Sequence, residues 1–368
     1  MMKKGDEKID FKYNFKVYYN LLIKHKWIFI FLSISVLIIE SSFLAFNYLF
    51  KLVTDNGANF ISGTLDKNAF VKILFGILVL YIIIMVIKSI SQWVKHHFLN
   101  LLDSHLMTDI KRKFFNHLIG LHYGFHTSHK TGSLIAKLLR GSSSIERFTD
   151  VIVFNFLPLI FGLIMSFIAI LYFDYTSAIL ILVIVVIFIL YSMFLLELQK
   201  RSNIEFNEKE DYEKGVVSDV FTNVESIKYF GKEFSIKDKY RKISERTRLS
   251  LMRYWSYFKW LDSGHEIILG LGILLLIYFP MIKFLNGELT IGTIVFIYGT
   301  FGNLMSILFR FVHGIRGFYR SMADFQSLFK YDRIYNEIED LENSEKLRIT
   351  KGEIEFRNVT FGYRKSKI

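Results

Sequence analysis

Six apolar stretches of about 20 residues or more alternate along the chain with polar segments of two very different lengths. The apolar stretches are Trp27–Phe50, Phe70–Trp93, Val151–Phe173, Thr176–Leu198, Gly264–Phe284 and Ile291–Phe311. A helix needs roughly 20 such residues to cross about 30 Å of hydrocarbon, so the pattern predicts an all-α membrane protein with six transmembrane helices. The links 51–69, 174–175 and 285–290 are short, whereas 94–150 and 199–263 are long and polar. Within the first long segment, Leu99, Leu102, Leu106, Ile110, Phe114 and Leu118 recur at helical intervals, and neither long segment holds a proline. These segments therefore read as helices that run on out of the bilayer, fold back and return, not as separate domains.

The two ends differ from the middle. Between Asp10 and Lys26, Phe11, Phe15, Val17, Tyr18, Leu21 and Leu22 lie among lysines, which predicts an amphipathic helix on the membrane surface within residues 1–26. Residues 27–336 form the six-helix unit, and an acidic linker follows over 337–351. In 352–368, Ile354, Phe356, Val359, Phe361 and Tyr363 give a strand-like alternation with one slip, so a short β segment is expected there. The chain ends while that pattern is still running, which reads as the start of a further domain.

Charge sets the orientation. The chain carries a formal net charge of +12, and its basic residues concentrate in the long segments, as at Lys237, Lys239, Arg241, Lys242, Arg246 and Arg248. By the positive-inside rule both termini and both long segments face the cytoplasm. Anionic lipid accounts for this basic excess, so no nucleic-acid partner is expected. Hydrophobic residues make up 52% of the chain and mean hydropathy is +0.33, which agrees with the lipid bilayer as the main partner. The absence of cysteine excludes disulfides, thiolate metal sites and cysteine nucleophiles. His96-His97 and the pair His122 and His126 lack ligand spacing, so they read as surface residues and no metal site is expected. Abundant Lys, Ile and Phe with two prolines suit a bacterial protein, and the plasma membrane is the expected location.

Polar groups inside the apolar stretches are costly and usually face a cavity or a partner. Glu40 and Asn47 fall in the first stretch, Lys88 in the second, and Asn303 and Arg310 in the sixth. Asp262, His265 and Glu266 sit near the start of the fifth. Glu40, Asp262, His265, Asn303 and Arg310 are candidates for a polar solute pathway, while Lys88, Asp262 and Glu266 could equally meet headgroups at a helix end. Gly299, Gly302, Gly314 and Gly317 are spaced for close helix packing, and Pro158 and Pro280 for kinks.

Three stretches, in this order among six crossings, carry a family resemblance. The first runs from Phe115-Asn-His-Leu118 through His129-Lys-Thr-Gly-Ser-Leu134 to Arg140-Gly141. The second is Asp219-Val-Phe-Thr-Asn-Val-Glu-Ser-Ile-Lys-Tyr-Phe-Gly-Lys-Glu233, and the third is Gly352 to Tyr363. Together they resemble the transmembrane domain of a type I ABC exporter, an ABC half-transporter, over nearly the whole chain. The wording Lys228-Tyr-Phe-Gly-Lys-Glu233 leans toward the iron–sulfur-assembly and heavy-metal-tolerance branch, which exports glutathione-related compounds. Asp262 and His265 stand near where that branch carries an Asn and a Gln.

The resemblance implies two coupling helices, one with His122 and Phe125, the other with Glu225, Lys228, Tyr229 and Phe230. It further implies that Tyr363 stacks on adenine, that Arg316 joins the pathway, and that a second exporter half completes the unit, most simply a homodimer. The phosphate-binding loop and the catalytic residues lie beyond this stretch. ATP and Mg are therefore expected in a full-length ATP-hydrolysing translocase, with none bound by this chain alone. An ion-coupled secondary transporter and a non-transporting membrane scaffold are the rival expectations. Neither gives a reason for long hairpins outside the membrane.

Overall fold

The computed structural model describes residues 10–128, 131–334 and 352–360 of the chain. A short helix α1 (Phe11–Lys24) precedes two long rods, α2 (Lys26–Ile61) and α3 (Lys67–Ile119). A six-residue helix α4 (Tyr123–Ser128) leads into α5 (Thr131–Val151), which continues through a π-helical turn at Ile152–Phe156 into α6 (Leu157–Phe173). Then come α7 (Tyr175–Thr222), the six-residue α8 (Val224–Tyr229), α9 (Glu233–Leu285) and α10 (Ile291–Asp332). Counting α5–α6 as one rod, six of these are long and apolar enough to cross a membrane, as the apolar stretches predict. The chain is a multi-pass integral membrane protein.

The helices outrun the bilayer. At 1.5 Å per residue, the 53 residues of α3 and of α9 each extend about 80 Å. Their surplus lies at one end of the bundle, where the α3–α5 and α7–α9 hairpins project. At the opposite, short-link end, side chains set the breaks: Asp66 caps α3 and Asp174 caps α7, each accepting from a backbone N–H of the next turn. The π turn has a local cause as well. Pro158 has no N–H to donate four residues back, and the Leu157 N–H reaches Ile152 O five residues back instead.

Two apolar cores hold the rods together. One joins α6, α7, α9 and the first half of α10 through Ile181, Phe188, Leu269, Phe301 and Leu304. The other joins α1, α2, α3, α5 and the second half of α10 through Tyr18, Leu102, Ile110, Phe148 and Phe325. Helix α10 is thus the member common to both. Its start is pinned to α2, because Asp55 accepts from Gly292 N at 2.8 Å and from Thr290 Oγ1 at 3.0 Å. A Cβ at Gly292 would stand 2.4 Å from the Lys51 carbonyl, so only glycine permits this approach. Gly299, Gly314 and Gly317 likewise receive Asn47, Asn155 and Val151, whereas Gly302 faces open space and takes no part in the packing expected of it.

The C-terminal β segment is not seen. Residues 352–360 form no strand, and Ile354, Phe356 and Val359 are 82%, 80% and 64% exposed. Alternation alone cannot make a strand, since a ladder requires a neighbour to receive its hydrogen bonds. The linker expected over 337–351 and the candidate Tyr363 lie outside the described residues.

Candidate functional site

The polar residues of the membrane-crossing rods do not all meet. Glu40 on α2 is buried at 4% exposure, lies beside Asn303 on α10, and has Oε2 without a hydrogen-bond partner. That oxygen lies 3.6 Å from where a Cβ on Gly162 of α6 would stand, so three helices close around the carboxylate. Arg310 of α10 and Lys95 and Lys88 of α3 lie within electrostatic reach of it. Lys88 Nζ stands 3.6 Å from the centre of the Phe43 ring and 5.3 Å from that of Phe46. Lys95 Nζ stands 4.8 Å from the Phe154 ring and senses both Glu40 and Arg310. Sequence reasoning finds Glu40, Asn303, Arg310 and Lys88 but misses Lys95, which falls two residues past the end of an apolar stretch.

Two other pathway candidates lie elsewhere. Asp262 is exposed on α9, apart from the Glu40 group. His265 is 1% exposed in the first core, stacked on Phe188 at 4.0 Å between centroids, with Nε2 2.7 Å from Ser192 Oγ. Stacked on one face and hydrogen-bonded, this imidazole packs α9 against α7. The Arg316 side chain lies outside the described residues.

The hairpin tips differ from each other. Helix α8 crosses the tip of the α7–α9 hairpin and buries no residue; Tyr229 is 85% and Phe230 77% exposed. Gly231, at φ +58°, turns the chain back into α9, a left-handed conformation that a side chain would strain. Lys228 spans that turn to Glu233 at 3.1 Å, and Glu225 sits in the first turn of α8. At the other tip Phe125 is 3% exposed, packed with Leu118, Leu121 and Tyr331. Within this candidate coupling helix Phe125 therefore anchors α4 to the bundle and does not face outward. Tyr123, 83% exposed on the same short helix, presents the outward aromatic that the sequence did not single out. His122 is half-buried, with Nδ1 unpartnered.

The α4 tip is tied to the end of α10. His117 Nε2 lies 2.7 Å from Tyr331 O, and Lys137 donates to the Tyr331 hydroxyl at 2.5 Å. One residue on, Asp332 accepts from Tyr13 of α1 at 2.8 Å and pairs with Lys113 of α3 at 2.7 Å. Arg333 covers the Tyr13 ring at 4.0 Å and pairs with Asp10. Burial, with Asp332 beside it, pushes the Tyr13 hydroxyl up to about 12, so it stays protonated and keeps donating. Helices α1, α3 and α10 are thereby locked together where the chain leaves the bundle.

The profile of the ABC transporter transmembrane region matches residues 28–308, three quarters of the chain. The chain belongs to the ABC transporter transmembrane family. Relatives of this ABC transporter chain include the mitochondrial iron–sulfur clusters transporter ATM1 of Yarrowia lipolytica, 24% identical over 257 residues, covering 69% of this chain and 36% of that protein. The same transporter of Kluyveromyces lactis is 29% identical over 258 residues, covering 68% and 35%. ATP-binding cassette sub-family B member 6 of Xenopus tropicalis is 26% identical over 267 residues, covering 69% and 30%. The chain thus spans about a third of the length of the curated relatives it matches. The fold is also that of a bacterial Atm1-family ABC exporter solved with ATP bound, with a TM-score of 0.72 at 18% identity over 93% of this chain and 60% of that one. The resemblance to a type I exporter, with its lean toward the iron–sulfur branch, is borne out by these similarities.

Proposed function

We propose that the chain is the transmembrane half of an ATP-driven exporter that moves a hydrophobic or amphipathic solute, such as a lipid, a peptide, a drug or a glutathione conjugate. Two copies form the working unit, each continuing into a nucleotide-binding domain that binds ATP with Mg, and Tyr363 stacks there on adenine. The membrane is a bacterial plasma membrane, with the long hairpins and both termini inside, following the Lys and Arg distribution. The observation that carries the reading is α8, a six-residue helix held across the tip of a rigid hairpin with two large aromatic side chains exposed. Such a surface is costly to leave in water and suits a socket on a partner domain. A push on α8 and α4 would pass along rods about 80 Å long as a rigid-body motion that opens the bundle to one side or the other.

The test is uptake into inverted membrane vesicles by the full-length gene product. ATP-dependent accumulation of an amphipathic solute, lost with a non-hydrolysable analogue, is the expected result. Accumulation driven by an ion gradient without ATP would instead support the secondary-transporter reading.

A further inference from the structure

The charges within reach of Glu40 do not balance. Lys88, Lys95 and Arg310 contribute three positive charges around the single carboxylate of Glu40, which leaves a formal excess of 3 − 1 = +2. Unbalanced charge is rare inside a membrane protein unless something else meets it. The arrangement is also unlike a structural salt bridge. Glu40 Oε2 has no hydrogen-bond partner although the residue is almost fully buried, and none of the three cations is tied into an ion pair among the described residues. Lys88 rests instead on the rings of Phe43 and Phe46, which follow Glu40 on α2. An aromatic surface therefore lies directly beside the unmatched charge. A group that fits both is an anion with an apolar body.

We propose that Glu40 is the charge selector of this site: a built-in counter-ion that partly neutralises Arg310, Lys95 and Lys88 until the acidic group of a soluble amphipathic anion takes over that role. Glu40 then opposes the entry of anions and sets how many negative charges a solute must carry. The role as a selector of cargo rests on the exporter reading, while the charge preference of binding does not.

Matched pyrene probes test it on the 368-residue chain in phosphatidylcholine nanodiscs: pyrenemethanol (neutral), pyrenemethylammonium (cationic), pyrenesulfonate (one negative charge) and pyrenetetrasulfonate (four). Removing one unit charge a few ångströms away, at an effective dielectric of about 20, changes affinity by about tenfold or more. Glu40→Gln is expected to tighten pyrenetetrasulfonate about tenfold and pyrenesulfonate in the same direction. It should weaken pyrenemethylammonium and leave pyrenemethanol unchanged. Arg310→Gln is expected to weaken the anions by a similar factor, and Glu40→Asp, which keeps the charge, to behave as the unaltered chain. Thermal unfolding of each variant shows that it is folded. An equal change for pyrenemethanol and the anions would make Glu40 a packing residue and overturn the proposal, as would anions that bind the unaltered chain no better than empty discs. Loss of probe binding when phosphatidylglycerol is added to the discs would assign the site to a lipid headgroup, also against the proposal. Because no ATP enters these titrations, their failure is separate from a failure of ATP-dependent uptake.

Discussion

Asp174→Ala is expected to lower the stability of the bundle by about 3 kcal/mol, the usual penalty for breaking a buried pair from one side. Asp174 is 4% exposed in the two-residue link between α6 and α7, and it acts twice. Oδ2 accepts from Ser177 N at 2.9 Å and Ser177 Oγ at 2.6 Å, which caps α7, while Oδ1 receives Lys283 of α9 at 2.5 Å. Lys283 also donates to Thr176 at 2.8 Å, so one cluster closes the short-link ends of three helices. Alanine removes the cap and leaves a half-buried ammonium unpaired. Asp174→Asn keeps an acceptor for the cap and should lose less, whereas Lys283→Met keeps the cap but strands the buried Asp174 carboxylate and should fall between the two. Unfolding in detergent micelles should give that order. Burial alone would raise the Asp174 carboxyl, but the bonds from Lys283 and Ser177 hold it below its ordinary 3.8. Its contribution is therefore fully present above 3.8 and is lost only as pH falls through the lowered folded value.

The joint substitution of Tyr229 and Phe230 by alanine is expected to cut transport by the full-length gene product about tenfold or more. Hot-spot aromatics commonly contribute 2 kcal/mol or more each to an interface, roughly a thirtyfold effect on docking. In this chain both rings are exposed and make no core contact, so the isolated membrane domain should keep its stability to within about 0.5 kcal/mol. That split separates a docking role from a folding role. Transport unchanged by the double substitution would remove α8 from the coupling path.

How far the sequence could be read follows from what is local. The six crossings were legible because a run of about 20 apolar residues has few other uses. The helical extensions were legible through Leu99, Leu102, Leu106, Ile110 and Phe114, five of the residues that the second core buries. Ends were less so: α2 runs eleven residues past Phe50, the end of its apolar stretch, to Ile61, since a helix may leave the hydrocarbon without stopping. The π turn before Pro158 depends on backbone bonding that composition does not encode. At the candidate site, Glu40 stood out as a charge in an apolar run, but Lys95 is 55 positions away and outside such a run, so only the pairing of α2 with α3 unites them. His265 shows the converse: a polar residue near a crossing whose needs are met by Ser192 and Phe188. Phe125 and Tyr123 lie two positions apart, and only the docking of α4 on Tyr331 tells which of them turns inward.

The chain has no cysteine, so a Lys237→Cys substitution gives it one labelling position on the exposed start of α9 beside the α8 tip, clear of Tyr229 and Phe230. Spin labels there, in the dimer of the full-length product cleared of other reactive cysteines, report the distance between the two tips by double electron–electron resonance. A nucleotide-driven exporter predicts that ATP with Mg shortens that distance and that hydrolysis restores it. One distance distribution, the same with and without nucleotide, would contradict the account.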